Sequence, residues 1–449
     1  MARLFGTDGI RGLANGDVLT AELALQLAAA AGASVAAEHA GRADRADRGR
    51  PMVVIGRDTR PSGEMLEAAA VAGFTSAGCD VTRLGVVPTP MVAHATARWE
   101  AVLGLAITAS HNPVQDNGLK LFAQGGHKLT DAQEDVLEQQ LGKPYPLATG
   151  AGAGRSYADN RLWHLEHYVT DLLASVGSLD GVHVVVDGAQ GAASDLAPEA
   201  YRRAGARVTA IHCDGDGYRI NEACGATHPE SLAATVLQVG ADLGIAHDGD
   251  ADRCIVVDAQ GTVVNGDQVL GLLALARKDA ALPASDVLVA TVMSNLGLVQ
   301  AMGAAGVEVV RTAVGDRYVL EAMLAGGHRL GGEQSGHVVM LDHATTGDGL
   351  LTALQVMDRM ARTGRSLAAL ASVVTLLPQV LVNVRADRSR ARAPEVLAAV
   401  ATEEAALGSS GRVLLRPSGT EPLVRVMVEA PTQQQADDVA HRLALAVSG

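Results

Sequence analysis

Aromatic residues are scarce, with 3 Phe, 2 Trp and 6 Tyr among 449 residues. This argues against base-stacking platforms for nucleic acid and leaves Ala, Val, Leu and Gly to build the cores. Cations are in deficit: 36 Lys and Arg face 50 Asp and Glu, for a formal charge of −14. A general polyanion binder does not fit, and an anionic ligand must be drawn by a locally basic cleft. Only 4 cysteines occur. Cys79, Cys213, Cys224 and Cys254 show no C-x-x-C spacing and read as reduced thiols. No apolar run is unbroken for long. The longest, Leu367 to Val384, is interrupted by Ser372, Thr375, Pro378, Gln379 and Asn383, which suits a helix end, a turn and a strand better than a membrane span. The first residues carry no apolar signal-peptide core. The expected address is the cytoplasm, with neither nucleic acid nor membrane as partner.

Apolar residues make up 48% of the chain, and Gly occupies 50 positions. The length suggests roughly three domains and is ample for large cores. Strand and helix patterns alternate: Met52–Ile55, Gly63–Ala77, Val81–Leu84, Met91–Arg98 and Val102–Ile107. That rhythm predicts a parallel-rich sheet covered by helices. The period-free stretch Ala148–Gly154 marks a boundary. A second lobe follows, with helix Leu162–Val176 and strands His183–Val186, Val208–Ile211 and Ala241–Ala246. The third reads as strand Cys254–Val257, a turn at Gly261, helix Asp267–Arg277, strand Val287–Val292, helix Leu296–Ala305 and strand Glu308–Arg311. The last has strands Val380–Val384, Arg412–Leu415 and Leu423–Glu429, with helices starting near Ala393 and Thr432. The expected class is α/β, with three similar α/β domains (1–153, 154–256, 257–372) and a smaller α+β domain (373–449). The alternating charges of Gly41–Arg50 read as a solvated surface loop.

Four stretches carry chemistry. Ile107-Thr108-Ala109-Ser110-His111-Asn112-Pro113 ends an apolar run, so Ser110 should sit at a strand's carboxyl end, where open α/β sheets bind ligands. A nucleophile there needs exposure, backbone N–H groups and a proton acceptor; His111 is adjacent and Lys120 nearby. His247-Asp248-Gly249-Asp250-Ala251-Asp252-Arg253 sets three carboxylates at i, i+2 and i+4 in a small-residue loop. They can converge on one hard cation, which suits Mg²⁺, whereas a plain turn would crowd like charges. Ala259 at the twelfth loop position argues against an EF-hand, and Arg253 can partner a phosphate beside the metal. Gly331-Gly332-Glu333-Gln334-Ser335-Gly336-His337 offers Glu333 and Ser335 to sugar hydroxyls and a titrating His337. Gly315-Asp316-Arg317 opens a helix nearby in sequence. Arg416-Pro417-Ser418-Gly419-Thr420-Glu421-Pro422 lies between two strands. The Ser418 and Thr420 hydroxyls, the N–H groups of Gly419 and Thr420, and Arg416 make an anion nest, to which Arg425 adds a guanidinium. No Lys follows Gly419, so this is not a nucleotide P-loop. A fifth stretch, Phe5-Gly6-Thr7-Asp8-Gly9-Ile10-Arg11-Gly12, reads as a tight loop that either solvates Arg11 or brings it to a phosphate. Each stretch alone also fits ordinary turn chemistry.

The four loops occur in this order over the whole chain, and together they resemble the α-D-phosphohexomutase superfamily. Phe5–Gly12, Gln334 in its loop and Cys224-Gly225-Ala226-Thr227-His228-Pro229 look most like its amino-sugar branch. The resemblance implies four domains around a central cleft, three α/β with mixed sheets and the fourth a small α+β lid. It implies that Ser110 works as phosphoserine, held with Mg²⁺ by Asp248, Asp250 and Asp252. The implied reaction interconverts glucosamine 6-phosphate and glucosamine 1-phosphate, with glucosamine 1,6-bisphosphate as intermediate and activator, and supplies UDP-N-acetylglucosamine for cell-wall precursors. Arg11, Lys120 and Arg253 then add positive charge, and His111 and His337 are further catalytic candidates. Gly315, Asp316, Arg317, Glu333 and Ser335 fall on the sugar side. Arg416, Ser418, Gly419, Thr420 and Arg425 hold the non-reacting phosphate. The alternatives are a phosphomannomutase or phosphoglucomutase, a metal-dependent sugar phosphatase, and a serine hydrolase using Ser110 and His111. The hydrolase lacks a nucleophile elbow. The oligomeric state is not legible, and a homodimer stays open.

Overall fold

The computed structural model describes residues 3–6, 8–40, 49–158, 161–417 and 422–449. Most of the charged stretch Gly41–Arg50, expected as a surface loop, therefore lies outside the described residues, as do Ser418, Gly419 and Thr420. The chain forms two compact units, Met1–Val292 with Val310–Ala371, and Met293–Val309 with Ser372–Gly449. Among the described residues no helix is long and apolar enough to cross a membrane.

The first unit contains three sheets. The first has six strands in the order Ile10–Leu13, Asp116–Ala123, Leu103–Ile107, Met52–Arg57, Asp80–Val86 and Ser156–Tyr157. Its centre is parallel, with helices Gly63–Ser76 and Thr89–Arg98 as the crossovers, as the alternation predicts. The sheet is nonetheless mixed, because Asp116–Ala123 and Ile10–Leu13 run antiparallel. This corrects the reading of Phe5–Gly12 as a loop throughout: Arg11 lies on an edge strand, opposite Gly118. A Cβ on Gly118 would stand 2.5 Å from the Thr108 carbonyl, so a glycine is needed where this strand passes the serine loop. Phe5, Phe74 and Phe122, every Phe in the chain, are buried against this sheet. Small residues fill the rest. A Cβ on Gly73 would stand 2.4 Å from the Leu25 carbonyl, so helices Gly63–Ser76 and Ala21–Ala40 approach closely because both present Ala and Gly.

The second sheet runs Val263–Val264, Ile255–Asp258, Leu243–Ala246, His183–Asp187, Arg207–Ile211. Ile255–Asp258 pairs antiparallel with Leu243–Ala246. The strand Cys254–Val257, expected to open the third lobe, thus belongs to the second sheet. The aspartate loop is the tip of a hairpin within that sheet. In the third sheet Val287–Thr291 runs parallel to Leu330–Gly332, which pairs antiparallel with Val338–Met340. Residues 333–337 form that hairpin's tip.

The second unit is a three-stranded antiparallel sheet, Gln379–Arg385, Leu423–Glu429 and Arg412–Pro417, with helices Pro394–Leu407 and Gln433–Ser448. Helix Leu296–Ala304 also belongs to this unit. The Asn295 amide exchanges hydrogen bonds with the Leu377 backbone at 2.9 and 3.0 Å. Leu296 N–H donates to Glu429 Oε2 at 2.9 Å, and the buried Glu429 pairs with Arg412 Nε at 2.7 Å. The class is the expected one, α/β with mixed sheets and a smaller C-terminal α+β part.

Candidate active site

Ser110 follows strand Leu103–Ile107 with φ of 53°, a left-handed conformation uncommon for a residue with a side chain. Thr108 Oγ1 accepts from Ser110 N–H at 2.9 Å and donates to Asp58 Oδ2 at 2.6 Å. Arg60 is fully buried under the loop. Its Nε pairs with Asp58 Oδ2 at 2.9 Å. Its Nη2 donates to the carbonyls of Ser110 (3.0 Å) and Asn112 (2.7 Å), and its Nη1 to that of Asp116 (2.9 Å). Asn221 Nδ2 donates to the same Ser110 and Asn112 carbonyls at 2.9 and 3.1 Å. The exposure expected of a nucleophile is not found: Ser110 is 0% exposed. The aspartate hairpin covers it, and Ser110 Oγ donates to Asp248 Oδ2 at 2.5 Å while standing 3.4 Å from His111 Nδ1.

That hairpin is rooted by His247, whose Nε2 accepts from Tyr201 Oη at 2.8 Å and whose Nδ1 donates to the Arg253 carbonyl at 2.9 Å. A Cβ on Gly249 would stand 2.6 Å from the Ser110 carbonyl, so only glycine lets the two loops meet. Asp248, Asp250 and Asp252 are buried, with ligand oxygens within 4.8 Å of one another. Burial, and then the charges of Asp252 and Asp250, push the Asp248 carboxyl up to about 7. Asp250 Oδ1 and Asp252 Oδ1 are buried without a hydrogen-bond donor. Orphaned carboxylate oxygens are costly unless a cation meets them, and a purely carboxylate donor set suits Mg²⁺. The residues therefore fit the metal.

Cations surround the carboxylates. Lys120 Nζ lies 2.8 Å from Asp250 Oδ2, 2.8 Å from Asp8 Oδ2 and 3.4 Å from Asp252 Oδ2. Burial works against its charge, but Asp250, Asp8 and Asp252 outweigh it and hold its pKa above the usual lysine value. Arg11 pairs with Asp8 and donates to the Ala109 carbonyl at 3.3 Å. Lys128, its side chain 8% exposed, joins Asp8 to Asp316. Arg253 Nε stands 3.9 Å from Asp248 and 3.8 Å from Asp252. Burial, with Arg253 and Arg11 nearby, pulls His111 down to about 4, which leaves it a neutral imidazole at pH 7.

From the third sheet, His337 is placed 3.6 Å from both Asp252 Oδ2 and Asp316 Oδ2. Burial opposes its charge, but the two aspartates hold its pKa above the usual imidazole value, which suits a proton donor. Glu333 Oε1 accepts from Gly315 N–H at 3.2 Å, and Ser335 Oγ lies 3.4 Å from Glu333 Oε2. Arg317 is not brought to them. Its guanidinium pairs instead with Asp131 and, at 2.5 Å, with Glu134 of helix Asp131–Gln140. Asp8, Asp58, Arg60, Lys128 and Asn221 were not singled out from the sequence as site residues. Asp8 lies inside the Phe5–Gly12 stretch, and Asp58-Thr59-Arg60 closes a buried strand with a charged pair, but Lys128 and Asn221 carry no local signal.

In the second unit Arg416 and Arg425 are directly opposite across the sheet. Both are exposed, with no acidic partner among the described residues. A separate group, Asp187, His212 and Cys224, also brings ligand atoms within 4.8 Å. The Asp187 oxygens are already committed to the N–H groups of Ala189 (2.9 Å) and Gly225 (3.0 Å) and to His212 Nδ1 (2.9 Å). Burial pushes the Cys224 thiol up to about 12.

Family models for phosphoglucomutase/phosphomannomutase match in succession: α/β/α domain I over residues 2–146, domain II over 164–261, domain III over 265–376 and the C-terminal domain over 381–446. The phosphoglucosamine mutase of Frankia alni is 59% identical, covering 100% of this chain and 98% of its own. That of a Nocardioides species is 58% identical over 99% of this chain and 98% of its own. Solved structures share the fold. A phosphoglucomutase/phosphomannomutase family protein of Burkholderia thailandensis has a TM-score of 0.81 at 24% identity, over 99% of this chain and 97% of its own. The N-acetylphosphoglucosamine mutase of Aspergillus fumigatus, solved with GlcNAc-6P and magnesium, has a TM-score of 0.63 at 20% identity, over 89% and 83%. With all four domain signatures in order and full-length relatives sharing more than half its residues, the chain belongs to the phosphoglucomutase/phosphomannomutase family of α-D-phosphohexomutases.

Proposed function

We propose that this chain interconverts glucosamine 6-phosphate and glucosamine 1-phosphate, with Ser110 as the carrier of the transferable phosphoryl group and glucosamine 1,6-bisphosphate as the intermediate. The observation that carries this reading is Ser110 Oγ, buried 2.5 Å from Asp248. It lies beside a carboxylate cluster that Lys120, Arg11 and Arg253 flank. Phosphoryl transfer asks for positioning and charge neutralisation more than for covalent help. Ser110 Oγ gives up its phosphoryl group to one sugar oxygen, and the proton that this oxygen loses passes to the freed Oγ. The bisphosphate turns, and its other phosphoryl group returns to Oγ as a sugar hydroxyl is regenerated. Asp248, Asp250 and Asp252, with Ser110, would hold Mg²⁺, which neutralises charge on the group in transit. Arg11, Lys120 and Arg253 add fixed positive charge, and His337 offers its proton at the reacting oxygen. Glu333 and Ser335 take sugar hydroxyls, beside Gly315 and Asp316. Arg416, Ser418, Gly419, Thr420 and Arg425 hold the phosphate that is not reacting. Covering Ser110 also keeps bulk water from its phosphate, which favours transfer over hydrolysis.

A coupled assay with glucosamine, glucose and mannose 6-phosphates tests this. Glucosamine 6-phosphate should be preferred over mannose 6-phosphate by at least about tenfold in kcat/KM, about 1.4 kcal/mol. An equal or reversed preference moves the chain to the mannose branch. Inorganic phosphate as the main product would make it a phosphatase.

A further inference from the structure

We infer that Asn221 and Arg60 are positioning residues for phosphoryl transfer, which together hold the Ser110 carbonyl so that Oγ meets the aspartate hairpin. The inference rests on the mutase reading above. Three segments distant in sequence converge on one oxygen. Arg60 Nη2 (3.0 Å) and Asn221 Nδ2 (2.9 Å) take the lone pairs of the Ser110 carbonyl, and Gly249 presses so close that a Cβ there would stand 2.6 Å away. A carbonyl fixed from three sides fixes the peptide plane that follows Ser110, while Thr108 Oγ1, accepting from the Ser110 N–H at 2.9 Å, holds the plane before it; between the two, the left-handed backbone that aims Oγ at Asp248 is set. Asn221 is itself left-handed, at φ 60°, and its N–H is anchored on the Ala189 carbonyl at 3.0 Å.

The residues just beyond Asn221 hold the other half of the site. Gly225 N–H donates to Asp187 Oδ2 at 3.0 Å. Ala226 N–H donates at 2.8 Å to the carbonyl of His247, the residue before Asp248. A Cβ on Gly225 would stand 2.6 Å from that carbonyl. One short segment, 221–226, therefore ties both the phosphoryl-bearing loop and the root of the carboxylate hairpin. Among the described residues the Cys224–Pro229 motif, whose resemblance pointed to amino sugars, sends hydrogen bonds to Asp187 and His247, one within itself from His228 N–H to the Gly225 carbonyl, and none to Glu333 or Ser335. Its work is registration of oxygen against carboxylates, not choice of sugar.

The test is Asn221→Gly, which keeps the left-handed backbone accessible and deletes the amide donor, with Arg60→Lys as a second variant that keeps a charge near Asp58 but loses the fork. Rapid-quench transfer from phosphorylated enzyme to glucosamine 6-phosphate should slow by about 10- to 100-fold in Asn221→Gly, the range a displacement near 1 Å produces. KM, the glucosamine-to-glucose preference and the thermal midpoint should stay near wild type. An unchanged transfer rate overturns the inference, and so does an altered sugar preference with the transfer rate kept. Wild-type enzyme that isomerises no sugar phosphate overturns the functional reading instead, and takes this inference with it.

Discussion

Asp248 accepts the Ser110 hydroxyl at 2.5 Å and shares its burial with two more carboxylates, and its carboxyl is raised to about 7. A carboxylate must be deprotonated to bind a cation, so binding there releases a proton below that value. Mg²⁺ affinity should rise by up to about tenfold per pH unit on approach to 7 and level off above it. Calorimetric titrations from acid to mildly alkaline pH will show this, and a flat profile would remove Asp248 from the metal site. Ser110→Ala should cost at least about 10²-fold in mutase activity and leave the thermal midpoint near wild type, since only one oxygen is lost. Ser110 and the three aspartates could be read from the sequence because each stands in a small-residue loop after an apolar run. Lys128 and Asn221 could not. Their partners are 120 and 111 residues away, and a lone Lys or Asn has no local pattern that marks it as buried.

Helix Gly266–Asp279 starts with a capping box between Asn265 and Gln268, and its first residue sets the sugar-side hairpin. Gly266 N–H donates to the Gln334 carbonyl at 3.1 Å. A Cβ there would stand 2.2 Å from the Glu333 carbonyl and 2.7 Å from Gly336 N. Backbone cannot give way as a side chain can. Gly266→Ala should therefore raise KM for the sugar phosphate, cost about 1–3 kcal/mol of stability and leave Mg²⁺ affinity unchanged. Steady-state kinetics beside denaturant unfolding will separate these effects. In the C-terminal sheet, Arg425→Ala removes one of two facing guanidiniums and should lower kcat/KM by about tenfold or more, about 1.4 kcal/mol, again with normal metal binding. At this scale the β–α alternation was legible, but sheet membership was not. The strand at Cys254 has the same short apolar pattern whether it pairs backward with Leu243–Ala246 or opens a new sheet. The strand Asp116–Ala123, which carries Lys120, went unread because its Lys breaks the apolar run.

The acid excess of the whole chain, −14, coexists with a basic cluster of Arg11, Lys120, Lys128 and Arg253, so composition did not locate the site. Composition also said nothing of the discontinuous second unit, which takes Met293–Val309 from the middle of the chain. A fragment of residues 372–449 lacks the Asn295 amide that caps Leu377 and the Leu296 N–H that meets Glu429. Its sheet should be less stable alone, and adding a peptide of residues 293–309 should raise its denaturation midpoint; no shift would mean that the helix contributes nothing to that unit. The same discontinuity sets a timetable during synthesis. Leu296 and its partner Glu429 are 133 residues apart, so at about 5–20 residues per second the helix waits about 7–27 s for the strand that completes it. Through that interval the Leu296 N–H lacks the carboxylate that meets it in the finished unit, and the start of helix Leu296–Ala304 is completed only when strand Leu423–Glu429 has been translated.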